Sequence, residues 1–164
     1  MKKRISLIVY GEPTGKGRPK FSTFGGFVKT YTPQETTNYE SSVRFAYKQA
    51  QESSDFTPFD AHEMVKATII AYFQIPKGRY KYHKKTNTTD LDKTGLEMEK
   101  NIVRPTKKPD CDNIAKICLD ALNGLAYVDD SQITSLSVSK LYSKEPKVVI
   151  ILEEEIIETN EILF

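Results

Sequence analysis

Four aspartates in the last third of the chain have the type and spacing that could hold a cation. Asp110 and Asp112 stand two apart in Lys107-Lys-Pro-Asp-Cys-Asp-Asn-Ile-Ala-Lys116, and Asp129-Asp130 follow in Tyr127-Val-Asp-Asp-Ser-Gln132. Clustered carboxylates repel one another unless a cation lies between them. The chain has only His62 and His83 as histidines and no cysteine or histidine pair at zinc spacing. The cation suited to such a cluster is therefore a hard, oxygen-liking one, magnesium or manganese. Taken singly, each residue has a plainer reading. An aspartate ahead of a helix is more often an N-cap than a ligand, and an Asp-Asp pair in a turn is more often just a turn.

The elements that must position these residues are legible around them. Pro109 keeps the chain extended just before Asp110. Ile114, Ile117, Cys118, Ala121, Leu122 and Leu125 then repeat at the spacing of a buried helical stripe, with Asn123-Gly124 as a stop. Asp110 and Asp112 thus fall at a helix start, where the N-terminus adds partial positive charge. Asp112, Lys116 and Asp120 lie at i, i+4 and i+8 on a face away from the stripe. The chain returns to deliver Asp129-Asp130 just before a strand, so carboxylates from two element ends are expected to converge.

Upstream, Ile5 to Tyr10 reads as a buried strand, Gly11 to Pro19 as a loop, and Phe21 to Tyr31 as a hairpin about Gly25-Gly26. Pro33 to about Ser53 reads as a helix that Thr32 can cap, and Met64 to Ile75 as a strand. Residues 77 to 108 are polar and lysine-rich, without firm structure beyond a short helix over Leu96 to Val103. Ile133 to Tyr142 and Lys147 to Leu152 read as a terminal hairpin joined through Lys144-Glu-Pro146. This order implies a single α+β domain, with a mixed β-sheet and two main helices, over residues 1–154, followed by an acidic tail over residues 155–164.

Net charge is only +2, but its distribution is uneven. The N-terminal part carries Lys16, Arg18 and Lys20 in a glycine-rich loop, and the middle carries Lys107 and Lys108 just before the aspartates. Acidic residues gather at the C-terminus, including Glu153, Glu154, Glu155, Glu158 and Glu161. A basic body suits a polyanion, because neutralising phosphates releases counterions, although solvated basic loops are as common. Lys16 follows Gly15 after a strand, yet this is no nucleotide-binding P-loop, since Gly17 stands where Ser or Thr is needed and Pro19 where a helix should run. Phe21, Phe24, Phe27 and Tyr31 accompany the basic residues and could stack on opened bases, with core packing or a dimer contact the commoner use.

No stretch approaches the ~18 apolar residues of a membrane span, and Ile5 to Val9 is too short for a signal-peptide core. Cys111 and Cys118 lie about 10 Å apart along one helix, beyond disulfide reach. A reduced, cytoplasmic setting is expected.

The runs Lys108-Pro-Asp-Cys-Asp-Asn-Ile-Ala-Lys116, Leu119-Asp-Ala-Leu-Asn-Gly124 and Tyr127-Val-Asp-Asp-Ser-Gln-Ile133 resemble the signature block of RusA-family Holliday-junction resolvases. Cys111 departs from the family's usual Leu, and the basic stretch 77–108 is less typical. The resemblance implies that Asp110, Asp112 and Asp130 are metal-binding catalytic carboxylates, that Lys116 lies near the scissile phosphate, and that Asp129 is a weaker candidate. It also implies magnesium (or manganese) as cofactor, branched DNA such as a four-way junction as substrate, and a homodimer with two active sites. Lys16, Arg18, Lys20, Lys107 and Lys108 are expected to contact DNA. Two other readings stand beside this one: a protein that binds branched DNA without cutting it, and a metal-dependent phosphohydrolase acting on small substrates.

Overall fold

Aliphatic and β-branched residues alternating with polar ones build strands that bury one side only. The computed structural model describes residues 2–24 and 26–157. In it the chain forms β1 (Arg4–Tyr10), β2 (Lys20–Phe24), β3 (Phe27–Tyr31), α1 (Gln34–Glu52), β4 (Val65–Gln74), β5 (Tyr80–His83), β6 (Thr88–Leu91), α2 (Lys93–Glu99), α3 (Cys111–Leu122), β7 (Ile133–Ser143) and β8 (Lys147–Glu154). Four strands make one mixed sheet in the order β1-β8-β4-β7, while β2-β3 and β5-β6 are separate two-stranded hairpins. The α+β reading holds.

One face of the sheet is the core. Ile5, Leu7 and Val9 of β1, Val65, Ala67, Ile69 and Ala71 of β4, and Val148, Ile150 and Leu152 of β8 are all buried there. Against them pack Val43 and Tyr47 of α1 and Ile114, Ile117, Cys118, Ala121 and Leu122 of α3. Each large aliphatic side chain removed from water contributes about 1.5–3 kcal/mol, so the helical stripe fixes how α3 is rotated against the sheet.

Three local expectations are corrected. The terminal hairpin is absent: β7 and β8 do not pair with each other but flank β4, which pairs with β7 in parallel and with β8 antiparallel. The short link between them spans up to about 13 Å, enough to cross two strand spacings of about 4.8 Å each. It is tied down by Lys144 O accepting from Gln74 Nε2 and Pro146 O accepting from Gly11 N. Residues 77–108 are better ordered than their polarity suggests, because β5 and β6 pair and α2 is capped by Asp92, whose carboxylate accepts from Gly95 N. The short helix therefore spans Lys93–Glu99 rather than Leu96 to Val103. Thr32 does not cap α1, since the N-cap position is Pro33 and no side chain fills the role.

Of the expected acidic tail, Glu158 and Glu161 lie outside the described residues. Glu155 is docked on the domain: its backbone N–H donates to Met64 O, and its carboxylate accepts from the Thr134 and Ser135 hydroxyls. These hydrogen bonds, from Ser135 first, hold its pKa below the ordinary range.

Candidate active site

Helix α3 starts at Cys111 because Pro109 has no N–H to give and Asp110, in extended geometry (φ −76°, ψ 158°), takes the N-cap position. The Asp110 carbonyl accepts from Ile114 N at 3.1 Å, but its carboxylate makes no capping hydrogen bond. Asp110 therefore occupies a cap position without spending its side chain there. Asp112 follows in the first turn and Lys116 one turn later, both exposed because Ile114, Ala115, Ile117 and Cys118 take the core-facing positions between and beside them. Among the described residues, Asp110, Asp112, Lys116 and Asp130 enter no ion pair, so the i, i+4 bridge available to Asp112 and Lys116 is not formed.

At the other end, Gly124 turns the chain with φ +70°, a conformation that favours glycine, and its N–H donates to Tyr127 O at 2.9 Å. Tyr127 is buried and donates its hydroxyl to Leu119 O at 2.8 Å. Burial first, and then the charges of Asp130, Asp120, Cys118 and Asp129, push its pKa up. Asp129 and Gln132 form a capping box over the 3₁₀ turn Asp130–Gln132. Asp129 accepts from Ser131 N at 2.9 Å, and hydrogen bonding from Ser131, its side chain first and then its backbone, lowers the Asp129 pKa. Gln132 Oε1 accepts from Val128 N and Asp129 N, while Nε2 donates to Asp60 O and Glu63 O ahead of β4. Asp129 is thus committed to shaping the turn, and Asp130 is presented by it to solvent.

These two sets of carboxylates do not meet within one chain. α3 has 12 residues, about 18 Å at 1.5 Å per residue. It runs back between two parallel strands: Lys140 Nζ near the end of β7 donates to Lys107 O at the helix start, whereas Gln132 at the head of β7 is tied to the residues before β4. Asp110 and Asp112 therefore stand at one end of the helix and Asp129 and Asp130 beyond the other. Among the described residues no three His, Cys, Asp or Glu side chains are grouped to hold a metal. The donor chemistry nevertheless fits a hard cation, since magnesium commonly takes one or two carboxylates and completes its shell with water and substrate phosphate oxygens. Asp110 and Asp112 are the residues that would supply that protein share.

The five basic residues expected at DNA divide into two groups. Arg18, Lys20, Lys107 and Lys108 are exposed. Gly15 rests on Pro109, so the glycine loop and the segment carrying Lys107 and Lys108 lie together at the Asp110 end of α3. Lys16 is different: its Nζ is held between Glu40 Oε1 at 2.5 Å and Asp120 Oδ2 at 2.8 Å, with about a quarter of its side chain exposed. Burial opposes its charge, but hydrogen bonds to Asp120 and Glu40 outweigh burial and hold its pKa above the ordinary value. The β2-β3 aromatics are not core, because Phe21 and Phe27 are 72% and 81% exposed and Tyr31 also faces solvent, while the side chain of Phe24 lies outside the described residues. The spacing of Asp129 and Gln132 signals the capping box in the sequence. No local signal marks Glu40 as the partner of Lys16.

A family model described as endodeoxyribonuclease RusA matches residues 10–153. The uncharacterized protein YqaN of Bacillus subtilis (strain 168) is 35% identical over 150 residues, which span 92% of this chain and 96% of YqaN.

Proposed function

Because this chain belongs to the RusA family of endodeoxyribonucleases, enzymes that act on DNA, we propose that it is a magnesium-dependent, structure-specific nuclease resolving four-way DNA junctions in recombination and repair. The observation that carries this reading is the exposed pair Asp110 and Asp112 at the start of α3, unpaired with any cation of the described residues, with exposed Lys107 and Lys108 just before it and the loop leading to exposed Arg18 and Lys20 packed on Pro109. No helix among the described residues is long and apolar enough to cross a membrane, and a cytoplasmic location is part of the proposal.

In this reading Asp110 and Asp112 hold the cation and the four exposed basic residues hold the DNA backbone over it, since phosphate contacts set register and orientation. A bound magnesium ion supplies an activated water and stabilises charge on the phosphate. Lys116, one turn beyond Asp112, stabilises charge that develops on the phosphate oxygens. Asp130 stands about a helix length away in its own chain. It completes such a site only from a second copy, which makes the homodimer part of the proposed catalytic unit. A four-way junction requires two strands to be cut, and a two-fold dimer offers two related sites.

The test is cleavage of a synthetic four-way junction by wild type and by Asp112→Asn, with and without magnesium, alongside binding to the same junction. Paired symmetric nicks that need magnesium and vanish in a variant that still binds are the expected result. Tight binding without nicks by wild type, in magnesium or manganese, would leave a structural DNA-binding protein. Hydrolysis of small phosphate esters uninhibited by DNA would point to a phosphohydrolase instead.

A further inference from the structure

The segment Gly15-Lys16-Gly17 touches both helices at the ends that matter. Lys16 N donates to Asn113 O at 3.1 Å, in the first turn of α3 between Asp112 and Lys116. Its side chain joins Glu40 of α1 to Asp120 of α3. Gly17 N donates to Thr36 Oγ1 at 3.1 Å in the first turn of α1. On either side of Lys16 the packing leaves no room for a side chain: a Cβ on Gly15 would meet Pro109 Cβ at 2.8 Å and Asn113 Cβ at 3.2 Å, and one on Gly17 would meet Thr36 Oγ1 at 2.6 Å. Pro13, just before, is buried, and the Tyr39 hydroxyl of α1 lies buried beside the Thr14 backbone. A lysine with two carboxylate partners has no charge left over for a phosphate, whereas Arg18 and Lys20 are exposed and carry no ion pair among the described residues.

We propose that Gly15-Lys16-Gly17 is a clip in which Lys16 acts as a positioning residue, locking the first turn of α3, and with it Asp110 and Asp112, against α1. Lys16 makes no contact with DNA, and the task of Asp120 is to receive it. The proposal rests on the assignment of Asp110 and Asp112 made above. It accounts for an aspartate of the Leu119-to-Gly124 run that stands about 12 Å of helix rise from Asp112.

The experiment compares wild type, Lys16→Met, Asp120→Asn and the double variant on a four-way junction in magnesium. It measures kcat, junction affinity over a range of salt, and hydrogen exchange of the amides in residues 111–116. Each single variant is expected to lower kcat about tenfold or more, as a misplacement of about 1 Å can. Affinity should stay within about twofold with the same salt slope, exchange in the first turn of α3 should quicken, and the double variant should be no worse than either single one. A phosphate contact by Lys16 predicts the reverse: weaker binding, a salt slope smaller by about one, and unchanged kcat at saturation. That outcome, or unchanged kcat and exchange in Asp120→Asn, overturns the clip. Asp120→Asn is isosteric and carries the test if Lys16→Met does not fold, with Gly15→Ala as a second route that leaves both charges in place. If wild type nicks nothing, the nuclease reading fails while the exchange data still decide the clip.

Discussion

Replacing Gln132 by alanine isolates what the turn presenting Asp130 depends on. The side chain makes four hydrogen bonds to backbone: two accepted by Oε1 from Val128 and Asp129 at 2.8 and 3.2 Å, and two donated by Nε2 to Asp60 and Glu63 at 2.7 and 3.1 Å. A hydrogen bond contributes a net 0.5–1.5 kcal/mol or so. Three of these four lie at exposed positions, where water can replace the lost partner, so the lower figure applies. Four such bonds come to about 2 kcal/mol, which for a chain of this size lowers Tm by about 4–8 °C. Because the bonds also join the turn to the residues before β4, Gln132→Ala should slow junction cleavage while leaving junction binding intact. Gln132→Glu separates the two halves: it keeps the acceptor facing Val128 and Asp129 but sets a carboxylate against two carbonyl oxygens, and should be at least as destabilising. The assay is thermal unfolding by circular dichroism with cleavage measured on the same preparations. A Tm for Gln132→Ala within about 1 °C of wild type, together with full cleavage, would refute the reasoning.

The remaining expectations concern the thiols and the acid limb. Cys118 is buried, and burial pushes its thiol up to about 12, whereas Cys111 is exposed between Asp110 and Asp112. One thiol should react in the native protein and the second only on unfolding, and a bulky adduct on Cys111 should abolish cleavage in wild type but not in Cys111→Ser; two equivalents from the folded protein would contradict the packing. The Ser131 interaction lowers the pKa of Asp129, and the Lys3 hydrogen bond lowers that of Glu63. Each therefore adds stability that is fully present above its unfolded value of about 4 and is lost as pH falls through the lower folded value. Tm should fall below about pH 4, less steeply in Asp129→Asn, and identical acid limbs would remove Asp129 from that account.

Short-range pattern carried much of this protein. The stripe from Ile114 to Leu122 placed α3 and exposed Asp112 and Lys116, because burying one face of a helix leaves the other to solvent. Pro109 marked where the helix begins, and β-rich runs located β1, β4 and β8, whose buried residues alternate along each strand. These are consequences of periods of 3.6 and 2 that any few residues display. The partners of those elements lie far along the chain and leave no such trace. β8 pairs with β1 and β4 rather than with the adjacent β7, because a short link can cross a strand as readily as turn back on itself. Lys16 reads as one more basic loop residue until Glu40 and Asp120 close on it. Asp110 and Asp130 belong to one motif in the chain, yet a helix about 18 Å long holds them at opposite ends.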